Sequence, residues 1–501
     1  MLEDIEFKTT SAFGGRNVQG GYKQEKGMTG EMTGQAKPPR WMRLDNAGLI
    51  FPAALRRNWS NAFRIAVSFA DPVDPALLQQ ALDRVVLRFP GICVRLRESL
   101  FWHYLEEVPA PCVRQDADQP LVSMTHRDVR RCAIRILYYR NRIAAEFFHA
   151  VTDGTGGMIF TKNLAAEYVR LRYGIEVPCI GDIRDLSEEV PKEELRDSFG
   201  DHAGPVAAPR DPRNVFHLSG ETEPDRFLHE TMGILDAKGL LAAAHEKGVT
   251  VTGYLTAILL KCILDIQYER LGIPDRSDDP DAPIPEREAK RRRKLRPVKV
   301  QIPVNLRKLY GGCTMRNFVA VVNIGVDPRM GDYSLEELWK IVHHEMELGI
   351  TGKNMRAIFT PNVMSERSRM LRIVPLPLKN LVMRMVFDTV GETVACTCLS
   401  NLGNVKLPQE MAPYVTRVEF ILGPQASAPY NCSVTSWQGK TYLSIVRNSV
   451  KPELEARFFR TLVKLGHHVK IENNDRPEHA VRNGKGMHGA AAPCGGTECT
   501  V

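Results

Sequence analysis

The chain is 501 residues long, 43% hydrophobic and 25% charged, the balance of a globular protein too long for one ordinary core. Its net charge of +8 would suit nucleic acid or a membrane, but much of the excess lies in one run at 287–296. That run follows an acidic, Pro-rich stretch and has no aromatic residue to stack on bases, so it reads as a solvated loop and no nucleic-acid partner is expected.

The first residues, Met-Leu-Glu-Asp-Ile-Glu, have neither a basic nor an apolar signal region, so no secretory leader is expected. Eleven cysteines without a framework spacing fit a reducing cytoplasm. Cys396 and Cys398 have no second pair at zinc-finger spacing, Cys494 and Cys499 lie in a Gly-rich tail, and His343-His344-Glu345 lacks the HExxH spacing, so no metal site is expected. The most apolar window, 249–266, contains Lys261 and Asp265, which a lipid environment would penalise. It reads as a buried helix, and no integral membrane segment is expected.

Residues 1–38 lack a hydrophobic period and read as a disordered lead-in. A strand is expected at 62–69, an amphipathic helix at 75–88 and a strand at 92–96. A hairpin follows at 133–139 and 143–148 around the polar turn Arg140-Asn141-Arg142, then a helix at 155–173 stopped by Gly174. The Pro- and acid-rich stretch 181–224 reads as a linker. The second half repeats similar parts: a strand at 227–235, helices at 237–247 and 252–271, strands at 298–303 and 318–324, and a helix at 334–348. Helical segments continue to about Met385. Strands are expected at 393–399, 415–422, 432–437 and 441–446, with a last helix at 452–465 before a polar tail. The fold class is α+β: a lobe at 39–180, the linker, a second lobe at 225–474 with a charged insertion at about 273–297, and a disordered tail at 475–501.

The most informative stretch is Phe147-Phe148-His149-Ala150-Val151-Thr152-Asp153-Gly154-Thr155-Gly156-Gly157. It delivers a histidine to a strand end and then opens a helix with glycines. Imidazole suits general-base work because it titrates near neutrality. The glycines would keep the backbone close and leave room for substrate, and their N–H groups at a helix start would stabilise an oxyanion. Asp153 would either pair with an arginine to hold the loop or orient the imidazole directly. The competing reading is a hydrogen-bonded structural histidine.

This loop resembles the HxxxDG signature of chloramphenicol acetyltransferases, peptide-synthetase condensation domains, BAHD acyltransferases and alcohol acetyltransferases. Other pieces resemble the bacterial alcohol-acetyltransferase-like branch. They are Arg43-Leu44-Asp45-Asn46 with Ile50-Phe51-Pro52, Ile302-Pro303-Val304-Asn305-Leu306-Arg307, Arg316-Asn317-Phe318-Val319 and Ser400-Asn401-Leu402-Gly403. Many members carry a second histidine where this chain has Phe148; the catalytic one is retained as His149.

The resemblance implies two chloramphenicol-acetyltransferase-like lobes in a V around a tunnel, with His149 as general base and Gly154 as a further residue of the catalytic loop. It implies Asp153 as structural support, with Arg307 as its expected partner, and Gly157, Ser400 and Asn401 as oxyanion or substrate candidates. No bound cofactor is implied. The co-substrate would be acyl-CoA, or an acyl carrier protein acting as partner, and the acceptor an alcohol or amine. The leading expectation is a cytoplasmic acyl-CoA-dependent O-acyltransferase. Its rivals are a condensation-type enzyme fed by a carrier protein and a catalytically silent binding protein on the same fold. GxSxG, GxxxxGK[ST] and strand-linked GxGxxG motifs are absent from the sequence, which removes serine-hydrolase, phosphate-loop and dinucleotide readings.

Overall fold

The computed structural model describes residues 40–56, 59–208, 214–276, 283–387, 394–424, 429–476 and 499–500. The expected lead-in, 1–38, and Cys494 lie outside them. The order begins β1 (Trp41–Arg43), α1 (Ile50–Ala54), β2 (Ala62–Phe69), α2 (Pro75–Arg88), β3 (Val94–Glu98), β4 (His103–Glu107) and β5 (Arg114–Gln115). Then come α3 (His126–Val129), β6 (Ile134–Tyr139), β7 (Arg142–Phe148), α4 (Gly154–Tyr173) and α5 (Phe199–His202). The second half runs β8 (His229–Asp236), α6 (Ala237–Glu246), α7 (Val251–Leu271), α8 (Glu286–Arg292), β9 (Val298–Asn305), α9 (Arg307–Tyr310) and β10 (Val319–Val326). It continues with α10 (Leu335–Gly349), α11 (Gly352–Arg367), α12 (Arg369–Ile373), α13 (Leu376–Val386), β11 (Thr397–Asn404) and β12 (Val415–Leu422). The described chain closes with β13 (Tyr430–Trp437), β14 (Lys440–Arg447), α14 (Glu453–Lys464), β15 (Lys470–Asn473) and β16 (Cys499–Thr500).

Three sheets organise this α+β protein. One is β1-β4-β3, one is β12-β2-β7-β6-β5, and the largest is β10-β9-β11-β13-β14-β8-β15-β16. In β2 the period-2 alternation places Phe63, Ile65, Val67 and Phe69 in a core with Leu78, Leu82 and Val85 of α2 and Leu164 and Tyr168 of α4. The opposite face of β2 carries Arg64, which is buried and pairs with Glu146 at 2.7 Å and Asp116 at 2.8 Å. α2 starts on Pro75, with the Asp74 carboxylate accepting from the Ala76 and Leu77 N–H groups. α4 stops where Gly174 turns left-handed at φ +68°.

A second core forms around α7, which packs against α10, α14 and β9. By length and composition α7 would cross a membrane, but 78% of its apolar window is buried inside the protein. Lys261 is held at its edge by Asp265 and Asp275.

Four features depart from expectation. The run at 287–296 is not a loop throughout: its first part lies in α8, where Glu288 and Asp332 take up Arg292 and Glu288 also takes Arg276. Glu288 and Arg292 pair at i,i+4 spacing on the helix, and Pro285 stands before its first turn and does not interrupt it. The stretch 181–224 is not bare linker, because Glu194 makes a buried pair with Arg88 at 2.7 Å and Phe199 packs edge-on against Phe318 and Phe359. In the tail, Asp475 accepts from His229 and Arg447, and Cys499–Thr500 pairs with β15, so two pieces of 475–501 are ordered by partners far upstream. Finally, β12 comes from the second half yet pairs antiparallel with β2, Phe420 opposite Ile65, and so completes the first sheet.

Candidate functional site

β2 and β7 run antiparallel with Ala62 opposite Phe148, and the next residue, His149, donates its N–H to the Asn61 carbonyl at 2.9 Å. The backbone of the histidine is therefore tied to the sheet edge. Its ring lies between Phe51, centroids 4.9 Å apart, and Phe63, 5.1 Å away and edge-on. Phe148, directly before His149, is wholly buried.

The imidazole Nδ1 is 3.0 Å from Oδ1 of Asn317. The amide nitrogen of Asn317 donates to the His149 carbonyl and to Asp45 Oδ2, both at 3.0 Å. With both amide protons committed, the oxygen is the end that meets the ring, so Nδ1 carries the proton and donates. That leaves Nε2 with the lone pair, and no described hydrogen bond engages it. Asp45 holds this chain from behind: Oδ1 accepts from the Gly48 N–H at 2.6 Å and Oδ2 from the Asn317 N–H at 3.2 Å. Burial pushes the Asp45 carboxyl above the ordinary carboxylate range, against the opposing pull of Arg316 and of these donors.

Asp153 has a different task. Its Oδ1 caps α4 by accepting from the Thr155 and Gly156 N–H groups at 3.1 and 3.0 Å. Its Oδ2 accepts from Arg307 Nη1 and the Phe318 N–H, both at 2.8 Å. Asp153 and Arg307, paired on the sequence argument, are thus in contact, and of the two roles weighed for Asp153 the structure gives it the arginine pair and gives the imidazole to Asn317.

The loop glycines divide in the same way. A Cβ on Gly156 would stand 2.1 Å from Thr152 Oγ1 and 2.5 Å from the Met315 carbonyl, so its bareness admits another backbone and not a substrate. Gly157 gives its N–H to the Asp153 carbonyl at 2.9 Å and faces the rings of Phe63 and Phe147. It therefore offers no oxyanion donor to the cavity, contrary to the expectation from the loop. Only Gly154 of the three lines the cavity, against Leu402.

That cavity has a volume of about 780 Å³ and is walled by both halves of the chain: Phe51, His149 and Thr155 on one side, Asn305, Ser400 and Leu402 on the other. Ser400 and Asn401 lie inside β11, whose pairing with β13 shifts register after Asn401, with Gly403 at φ +76°. They pair in register with Ser433 and Val434 just before that irregularity, and are not a turn that ends a strand. Asn401 is spent on Thr252 Oγ1 and the Gly403 N–H, whereas the Ser400 hydroxyl makes no described hydrogen bond. Two exposed lysines, Lys308 and Lys406, stand at the cavity without a described ion pair; Lys162 is paired with Asp182 at 2.7 Å.

Asn317 and Asp45 were missed as a pair acting on the histidine. Both occur in motifs that carry the family resemblance, but 168 residues separate Asn317 from His149, and no local pattern joins them. A surface group of possible metal ligands, His343, His344 and Glu347, sits on α10, and none of the three lines the cavity.

No protein-family model matches the chain, and no curated protein matches it. Solved structures do. The first condensation domain of the CDA synthetase is 15% identical with a TM-score of 0.51, covering 86% of this chain and 97% of that one. TRI101 of F. sporotrichioides, solved with coenzyme A and T-2, is 11% identical with a TM-score of 0.50, covering 85% and 99%. The condensation domain of the Monacolin K polyketide synthase MokA is 12% identical with a TM-score of 0.50, covering 86% and 97%. At these identities the likeness is one of fold, and the chain has the mixed α+β fold of the condensation domains and the chloramphenicol-acetyltransferase-like proteins.

Proposed function

We propose that the protein is an acyltransferase that moves an acyl group from acyl-CoA to a hydroxyl acceptor, with His149 as general base. The observation that carries this reading is the Asp45–Asn317–His149 chain, which fixes the Nδ1-protonated tautomer and leaves a basic Nε2 in a cavity open to both halves. Nε2 takes the proton of the acceptor hydroxyl as its oxygen bonds to the thioester carbonyl carbon. The C–S bond then breaks, and the imidazolium returns the proton to the departing thiolate. An ester and a free thiol result, with no acyl-enzyme. Asn317 Oδ1 keeps accepting from Nδ1 throughout and steadies the transient imidazolium. Ser400 is the better oxyanion donor of the sequence-derived candidates because its hydroxyl is uncommitted.

The unpaired Lys308 and Lys406 suit the phosphates of coenzyme A, and TRI101, which shares the fold, was solved with that molecule. The same lysines would meet the phosphate of a carrier protein's pantetheine arm, which makes a condensation-type donor the rival reading. Acceptor-dependent thiol release from a panel of acyl-CoAs tests the proposal. Wild type is expected to turn over, and His149→Ala to lose about 10²–10⁴-fold while keeping its melting temperature. Well-folded wild type that releases no thiol from any acyl-CoA but does so from an acylated carrier protein would move the donor to the rival. Ligand binding with no turnover of either donor would leave the silent scaffold.

A further inference from the structure

Helix α13 buries Leu376 but turns two polar residues toward the protein beside it. Lys379 Nζ donates to the Phe101 carbonyl at 2.7 Å, and Asn380 Oδ1 lies 3.1 Å from His103 Nε2. Its apolar residues Leu378, Leu381 and Val382, spaced as one helical face, are 49–56% exposed. Met370 and Ile373 on the adjoining α12 are 74–80% exposed, and Leu100, at the β3–β4 turn against which Leu376 N–H is bonded, is 78% exposed. An amphipathic helix of a globular protein normally buries such a stripe, and a continuous apolar surface of this kind marks an interaction site.

Between Glu366 and Asp388 the charged side chains are of one sign, and Glu98, at the end of β3, is taken up by Arg130 at 2.9 Å. Residues 367–387 contain Arg367, Arg369, Arg372, Lys379 and Arg384 and no Asp or Glu. The described partners of Arg367, Arg372 and Lys379 are backbone carbonyls, and no described ion pair involves any of the five. Trp102, half-exposed, sits at the rim with Arg43 over its ring at 5.8 Å. Apolar side chains ringed by cations and an indole are what the headgroup layer of an anionic membrane accepts. A second copy of the chain would set the four exposed arginines against four of the same sign across a two-fold axis. The sequence of 1–38 has no hydrophobic period with which to cover the stripe.

We infer that α12, α13 and the β3–β4 turn dock the protein onto an anionic lipid bilayer. The docked face adjoins the site: α13 packs on α1, which carries Phe51, and Phe387, just past α13, contacts Trp59 and lines the cavity. On the acyl-transfer reading, from which the binding itself is independent, an acceptor dissolved in lipid would reach His149 from this side.

The test is co-flotation of the full chain with vesicles of phosphatidylcholine, with and without phosphatidylglycerol. Wild type is expected to float with the anionic vesicles, less so as salt rises, and poorly with phosphatidylcholine alone. The double substitution Leu381→Glu with Val382→Glu is expected to cut the bound fraction at least about tenfold with an unchanged melting temperature. Wild type that does not float with the anionic vesicles overturns the proposal, as does binding that ignores both salt and the double substitution. A dimer seen by light scattering and abolished by the same substitutions, without flotation, assigns the face to a second copy and equally overturns it. None of these readouts uses catalysis, so failure here and failure of the acyl-transfer reading are distinguishable.

Discussion

Asp45 and Asp153 are both buried and both reach the segment that joins β9 to β10, yet they do different work. Asp153 meets Arg307 one to one and otherwise binds backbone N–H groups, so it cements the loop after β7 to the second half of the chain. Asp45 meets its arginine only at 3.4 Å, through Arg316 Nε, and spends one oxygen on the Asn317 side chain that orients the imidazole. Asp45 also has acid neighbours: Asp197 accepts from the Asn46 N–H, and Glu366 accepts from the Asn46 side chain. A carboxylate that binds an arginine and the backbone around it stabilises a conformation, and one that binds the amide holding the imidazole passes its orientation on to the ring.

Substitutions can pull the two roles apart. The largest effect is expected for Asp153→Ala, which removes the buried carboxylate that holds Arg307, the Phe318 N–H and the start of α4 together, and should cost about 3–5 kcal/mol in urea unfolding. A normal unfolding midpoint with lost turnover would instead put Asp153 in the chemistry. Next is Asn317→Ala, which frees the tautomer of His149. It should lower kcat about ten- to a hundredfold with KM little changed and a smaller loss of stability than Asp153→Ala. A fall confined to stability would reduce Asn317 to packing.

The smallest effect concerns pH. Burial, with help from Asp45 and Glu366, raises Asp197 from 3.8 to about 6. The native state therefore holds this proton more tightly than the unfolded chain does. The stability it contributes is fully present below 3.8 and is lost as pH rises through about 6. Asp197→Asn should flatten the melting temperature against pH across that window, and an unaltered slope would clear Asp197 of the effect.

Much of the site was readable because it is local. A strand, a histidine, an aspartate and a helix start lie within eleven consecutive residues, and period-2 alternation marks β2, β6 and β7 directly. What escaped depends on distant pairing. Asn317 meets His149 only once β9 and β10 are folded, and the alternation in β12 identifies a strand without saying that its neighbour is β2. Gly157 looked like a donor because a glycine at a helix start usually has a free N–H, but here its N–H is already taken by the Asp153 carbonyl. α13 shows the limit most plainly. The sequence reading there reaches only helical segments up to about Met385, and the fold reveals that Leu378, Leu381 and Val382 face out.

The pairing of β2 with β12 has a consequence for biosynthesis. β2 leaves the ribosome early, but the strand that seals its free edge follows about 350 residues later, on the order of 20–70 s at ordinary elongation rates. Through that interval Phe63, Ile65 and Val67 belong to a strand with one open side, a template for illicit pairing with other chains. The nascent protein thus needs either a holding chaperone or dilute synthesis, and a break between its halves would leave an amino-terminal fragment that is sticky and not merely inactive.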